Sequence, residues 1–163
     1  MNKKENKSQQ FSLMLASGFS VGFFPFAPGT IGSLIALPMA YFSIYFAGQA
    51  GLVSLIGVFL IAGLLTTSVV LKTAKSTDPS FVVIDEIVGQ LLAFFFVATD
   101  LHFKMTAIDL LWGFLLFRFF DIVKIWPASF FDKKVHTAFG VMMDDVVAGF
   151  YAAVILYYIH FYI

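Results

Sequence analysis

Two adjacent acid pairs, Asp85-Glu86 and Asp144-Asp145, and the spacing Arg118-x-x-Asp121-x-x-Lys124 are the residues of this chain best suited to do chemistry. Like charges side by side repel unless a cation lies between them. Hard carboxylate oxygens suit Mg²⁺, which keeps several waters and completes its shell with substrate phosphate. Neighbouring acids in a helix point about 100° apart. One member of each pair is therefore placed to ligate, and the other to orient a ligand, a water or a base. Arg118 and Asp121 share a helix face, as do Asp121 and Lys124. That trio reads either as a plain salt-bridge cluster or as an arginine clamp on phosphate beside a metal-binding aspartate.

Pro28-Gly29-Thr30-Ile31-Gly32-Ser33 adds a second feature. Free backbone N–H groups at a helix start favour an anion. Glycine lets the backbone approach closely, and Thr30 and Ser33 bring hydroxyls. Thr30, Gly32 and Ser33 are the candidate phosphate contacts here. His136, in the segment Asp132-Lys133-Lys134-Val135-His136, is a candidate general acid or phosphate contact.

The elements that must position these groups follow from composition. Of 163 residues, 60% are hydrophobic and 12% charged, against about 45–50% and about 25% in a soluble domain. Mean hydropathy is +0.92. One domain of this size cannot hide that much apolar surface from water, so lipid must cover the excess. The same numbers exclude disorder, and zero cysteines exclude a disulfide scaffold or thiolate metal site. A net charge of zero gives no recruitment of nucleic acid.

Apolar runs cover 31–47 (broken by Pro38), 50–71, 81–98, 106–123 and 141–163, with a shorter run at 11–24 after a polar head, 1–10. Backbone polar groups in lipid must be satisfied within the segment, so the long runs are expected to be helices. The 11–24 run is short for a span and is expected to be interfacial or re-entrant. Thr77-Asp78-Pro79 is a helix-start signal. If the five longer runs cross, Lys3, Lys4, Lys7, Lys72, Lys75, Arg118, Lys124, Lys133 and Lys134 share one side, and Lys104 alone takes the other. That bias marks the first side as cytoplasmic. The same parity brings Asp85, Glu86, Arg118, Asp121, Asp144 and Asp145 to the cytoplasmic end, with Asp100, Asp109, His102 and His160 toward the other. The expected fold is an all-α, multihelical integral membrane bundle of about six helices, one domain over 1–163.

Four blocks then occur in order: Phe24-Pro25-Phe26-Ala27-Pro28-Gly29-Thr30-Ile31-Gly32-Ser33-Leu34, Asp85-Glu86-Ile87-Val88-Gly89, Phe117-Arg118-Phe119-Phe120-Asp121-Ile122-Val123-Lys124, and Gly140-Val141-Met142-Met143-Asp144-Asp145-Val146-Val147-Ala148-Gly149. Together they resemble the phosphatidylglycerophosphatase A family of bacterial membrane enzymes, over about 19–149. The resemblance implies a multihelical fold and Mg²⁺-dependent hydrolysis of phosphatidylglycerophosphate to phosphatidylglycerol and phosphate. Its acid and base positions map onto Asp85, Glu86, Arg118, Asp121, Lys124, Asp144 and Asp145. The chain departs from the family pattern at Ile125 in Lys124-Ile125-Trp126-Pro127, where proline is common, and at Thr137-Ala138, where a glycine pair is common.

The resulting expectation is a lipid phosphatase in the bacterial cytoplasmic (inner) membrane, with its site at the cytoplasmic face. Asp85, Asp121 and Asp144 are expected to ligate the metal, with Glu86 and Asp145 as base or further ligands. Arg118, Lys124 and the Pro28–Ser33 helix start are expected to hold phosphate. Attack by an activated water and attack by an aspartate both fit these residues. Three other readings of the acids exist: a phosphatase for a different lipid phosphate, a divalent-cation transporter, and a non-catalytic scaffold or lipid-binding protein whose acids only cap helices.

Overall fold

A computed structural model describes residues 3–74, 79–99 and 105–162, with side chains from Lys7 onward. Six α-helices occur among them, and no strand: α1 (Lys3–Ala16), α2 (Pro28–Thr73), α3 (Ile84–Leu92), α4 (Ala107–Val123), α5 (Ala128–Lys134) and α6 (Ala138–Tyr162). The chain is an all-helical membrane bundle. Two helices, α2 and α6, are long and apolar enough to cross a membrane. Large apolar side chains such as Phe46 and Ile122 stand outward, 77% and 71% exposed, as a lipid-covered surface requires.

The runs 31–47 and 50–71 are separate helical limbs, as expected, joined within one element, α2. It continues through Pro38 and reverses at Gly48, whose φ of 58° and ψ of −149° suit glycine alone. Ile35 and Ala62 line one cavity, although an unbroken helix would hold them about 40 Å apart. The element is therefore a hairpin with antiparallel limbs, 28–47 and 49–73. Pro38 costs one backbone hydrogen bond without ending the helix.

The 11–24 run is not one helix. It holds the end of α1, a turn, and a 3₁₀ segment (Val21–Phe23). The polar head is itself helical from Lys3. The 81–98 run contains only the nine residues of α3 as regular helix, about 13 Å and too short to span. Its start falls at Ile84 rather than Pro79. Asp78, Lys75, Asp100, His102 and Lys104 lie outside the described residues. The short α5 fills the interval between the last two runs.

Brevity suits α3 to the centre of the bundle. Ile84, Asp85, Ile87, Val88, Gly89, Gln90 and Leu91 are all buried, and α2, α4 and α6 pack around it. Glycines set the spacing. A Cβ on Gly149 would lie 2.3 Å from the Gly89 carbonyl oxygen, and one on Gly89 would lie 2.6 Å from the Asp145 carbonyl oxygen. α3 and α6 therefore cross backbone against backbone.

α4 starts at a capping box. Thr106 N–H donates to Asp109 Oδ2 at 2.8 Å, and Asp109 N–H donates to Thr106 Oγ1 at 3.2 Å. Asp109 also meets His160 Nδ1 at 3.1 Å, tying the start of α4 to the end of α6. Both groups sit at the end of the bundle away from the acid pairs, as helix parity requires.

Candidate active site

Asp85 and Glu86 occupy the first turn of α3, Asp144 and Asp145 the second turn of α6, and Arg118 and Asp121 the last turns of α4. Lys124 caps α4 in the left-handed conformation, φ 48°. These seven side chains, with His136, line one cavity of about 280 Å³. That approaches the lower end of small-ligand sites, about 300 Å³. The remaining wall includes Pro28, Gly29, Ser80 and Asp132.

Two kinds of carboxylate share this cavity. Asp85, Glu86 and Asp145 each offer an oxygen within 4.8 Å of the others. Asp85 Oδ1 and Glu86 Oε2 are buried without a hydrogen-bond partner. Burying an unpaired acceptor costs free energy, and a cation removes that cost. The donor set is all carboxylate oxygen, which fits Mg²⁺ better than a softer ion.

The other acids carry internal counter-ions. Arg118 Nη1 lies 2.6 Å from Asp121 Oδ2. Lys124 Nζ donates to Asp132 Oδ1 at 2.8 Å and to Asp144 Oδ2 at 2.5 Å. Burial pushes the Lys124 pKa down, but the hydrogen bonds it donates to Asp132 and Asp144 outweigh it and hold the ammonium above its ordinary value. Asp145 N–H donates to Asp144 Oδ1 at 3.1 Å, which turns the Asp144 carboxylate while Asp145 faces Asp85 and Asp121. The two members of the pair thus serve different neighbours.

The Pro28–Ser33 segment divides. Pro28 and Gly29 line the cavity, whereas Thr30, Gly32 and Ser33 are not among its walls. Ser33 is fully buried. Its Oγ donates to the Gly29 carbonyl at 2.9 Å and accepts a long 3.5 Å bond from Arg118 Nη1. Gly32 packs on Val83, 3.1 Å from where its Cβ would stand. This helix start therefore steadies Arg118 and meets Glu86 rather than presenting Ser33 to a ligand. A Cβ on Gly29 would lie 2.0 Å from Glu86 Oε1.

Asp132 is the site residue that sequence reasoning missed. Its signal was an acid beside two lysines in the α5 segment, which reads as an exposed charge run. At the second departure from the family pattern, Thr137 takes a capping role: Gly140 N–H donates to its Oγ1 at 3.4 Å. Gly140 remains indispensable there, since a Cβ would lie 1.7 Å from the Val135 carbonyl oxygen.

An apolar helical bundle with a polar cleft, in which three clustered acids stand beside an arginine and a lysine, defines a class: helical membrane proteins with a charged site built from helix ends. Sequence comparison narrows the class. The profile of the phosphatidylglycerophosphatase A family matches residues 14–160. The chain is 35% identical over 150 residues to phosphatidylglycerophosphatase A of Escherichia coli K12, covering 90% of this chain and 81% of that one. It is 35% identical over 158 residues to the Haemophilus influenzae protein of that name, covering 91% and 88%. A Bacteroides thetaiotaomicron relative, provisionally named a phosphatidylinositol-3-phosphatase, is 35% identical over 152 residues, covering 88% and 90%. No solved structure matches. The chain belongs to the phosphatidylglycerophosphatase A family, whose members are phosphoric monoester hydrolases.

Proposed function

We propose that this protein is a Mg²⁺-dependent phosphatase that hydrolyses phosphatidylglycerophosphate to phosphatidylglycerol and phosphate at the cytoplasmic face of the bacterial inner membrane, as a multi-pass protein. The observation that carries this reading is the pair of buried, unpartnered oxygens on Asp85 and Glu86, facing Asp145 in a cavity that also holds Arg118 and Lys124. Family membership supports the substrate. The gathering of cations on one side of the chain supports the cytoplasmic placement.

Asp85, Glu86 and Asp145 would hold the Mg²⁺. This set differs from the expected Asp85, Asp121 and Asp144, because Asp121 and Asp144 already hold internal cations. When bound, Mg²⁺ supplies charge neutralisation for phosphoryl transfer. Arg118 presents a planar fork to the phosphate oxygens, with Asp121 and Ser33 fixing its plane. Lys124 adds a point charge, held by Asp132 and Asp144. Water supplies the oxygen that ends on phosphorus as the bond to the glycerol oxygen breaks, and His136, exposed at the cavity wall, is the group placed to give that departing oxygen a proton.

The test is phosphate release by purified protein in mixed micelles, with Mg²⁺ and with chelator, for wild type and Asp145→Asn. Phosphatidylglycerophosphate, phosphatidylinositol 3-phosphate and phosphatidic acid are compared. Release from the first that needs Mg²⁺ and disappears in a folded Asp145→Asn protein supports the reading. Faster release from phosphatidylinositol 3-phosphate would move the substrate to the one in the Bacteroides relative's name.

A further inference from the structure

A second cavity, of about 290 Å³, lies beside the polar one and is apolar throughout, lined by Ile35, Met39, Val58, Ala62, Ile84 and Ile87 among others. No residue lines both, but the same two helices, α2 and α3, contribute to each. Pro28 and Gly29, on the first limb of α2, border the polar cavity, and Ile35 and Met39 on the same limb border the apolar one. Six residues of helix separate Gly29 from Ile35, a rise of about 9 Å. On α3, Asp85 and Glu86 face the polar side, while Ile84 and Ile87 face the apolar side.

The apolar cavity opens on the outer surface of the bundle. Val58 and Phe19 at its edge are 63% and 65% exposed. Phe19 is set there by a turn in which Gly18, Phe19 and Ser20 all have positive φ, 56°, 57° and 78°. That conformation is rare for a bulky residue. A ligand with an anionic end and a hydrocarbon end can thus fill both cavities along one limb.

We propose that this apolar cavity is the binding site for an acyl chain of the lipid whose phosphate occupies the polar cleft, entered laterally from the bilayer past Phe19 and Val58. The inference rests on the lipid phosphatase reading above and adds a chain-binding site to it. Anchoring a chain about one and a half helical turns below the cleft holds the phosphate in place and restricts the diacyl group to one orientation. A chain that enters laterally leaves hydrocarbon for an apolar wall, so transfer itself gains little; the cavity acts by positioning the diacyl group, and that effect is read in KM.

Two variants fill the cavity without touching the cleft: Ala62→Phe, and Val58→Trp, where exposure leaves the fold little to lose. Each is assayed on phosphatidylglycerophosphate and on its deacylated, chainless headgroup. Expected is a tenfold or greater loss of kcat/KM on the lipid, carried by KM, with the headgroup rate unchanged. Equal loss on both substrates overturns the proposal, as does a wild type indifferent to the presence of chains.

A readout independent of turnover uses phosphatidylglycerophosphate with a diazirine at mid-chain, mapping the photolabelled peptides. Labelling at 35–39 or 58–62 that Val58→Trp abolishes supports the site. Equal labelling by a phosphatidylcholine probe would mean a bulk-lipid contact and would overturn it. So would protection of these peptides by a second copy of the chain. Absence of phosphate release from every lipid phosphate would reject the enzyme reading instead, and the labelling pattern would still decide whether a chain binds here.

Discussion

Gly89 and Gly149 meet backbone to backbone, each one turn beyond an acid of the site, Asp85 and Asp145 respectively. The spacing is the same on both helices, so the closest approach of α3 and α6 lies directly beneath the carboxylates and fixes how far apart they stand. Motifs that look like bare acid pairs in the sequence are better described as an acid plus the glycine that lets a neighbouring helix come near.

Gly149→Ala is expected to force this crossing apart. Overpacking of this kind costs about 1–3 kcal/mol. The thermal midpoint in detergent falls, and activity falls further than stability does, because Asp145 moves away from Asp85. A substitution that leaves both the midpoint and phosphate release unchanged would sink this account of the crossing.

Asp85→Asn, Glu86→Gln and Asp145→Asn should each lower Mg²⁺-dependent turnover by more than about 100-fold, beyond the 10–100-fold typical of an outer ligand partner. Direct binding of Mn²⁺, followed by paramagnetic resonance, should weaken in all three. Asp121→Asn and Asp144→Asn should retain Mn²⁺ binding, since those acids hold Arg118 and Lys124. Loss of the ion in Asp121→Asn with retention in Glu86→Gln would reverse the assignment.

Arg118→Lys is expected to raise KM about tenfold, because a point charge cannot replace the fork. Ser33→Ala should raise it only a few-fold, acting through the 3.5 Å contact to Arg118. The double variant separates the two roles: if Ser33 acts through Arg118, Ser33→Ala adds little once Arg118 is lysine. Full additivity would return Ser33 to direct contact with phosphate.

Lys124 yields a prediction about pH. Its pKa lies above the ordinary 10.5, so its ion pairs contribute fully below the unfolded value and are lost only as pH rises through the higher folded one. The ammonium therefore stays charged from pH 6 to about 10. Lys124→Arg should leave the alkaline limb of the kcat/KM profile in place, and Lys124→Met should depress the whole profile without moving it. An alkaline limb that shifts in Lys124→Arg would show that Lys124 titrates in this range.

Much of this was legible in the residues. Hydropathy required a lipid-covered helical bundle. Parity along the apolar runs sent Asp85, Asp121 and Asp144 to one end and Asp109 and His160 to the other, because each long run carries the chain from one end of the bundle to the other whatever its packing. Four motif blocks in order pointed to the family. These are properties of order and composition, and they need no knowledge of how helices rotate.

Rotation and crossing were left to the tertiary structure. Helices that are apolar all round, such as α2 and α6, carry no polar stripe to say which face turns inward. The sequence therefore determined that five carboxylates share an end of the molecule, but not which of them meet. The packing of α3 against α6 at Gly89 and Gly149 brought Asp85, Glu86 and Asp145 together. The left-handed cap at Lys124 aimed its ammonium at Asp132 and Asp144, and the reversal at Gly48 placed an apolar cavity beside the polar one. Each depends on a contact between residues distant in the chain, which geometry alone decides.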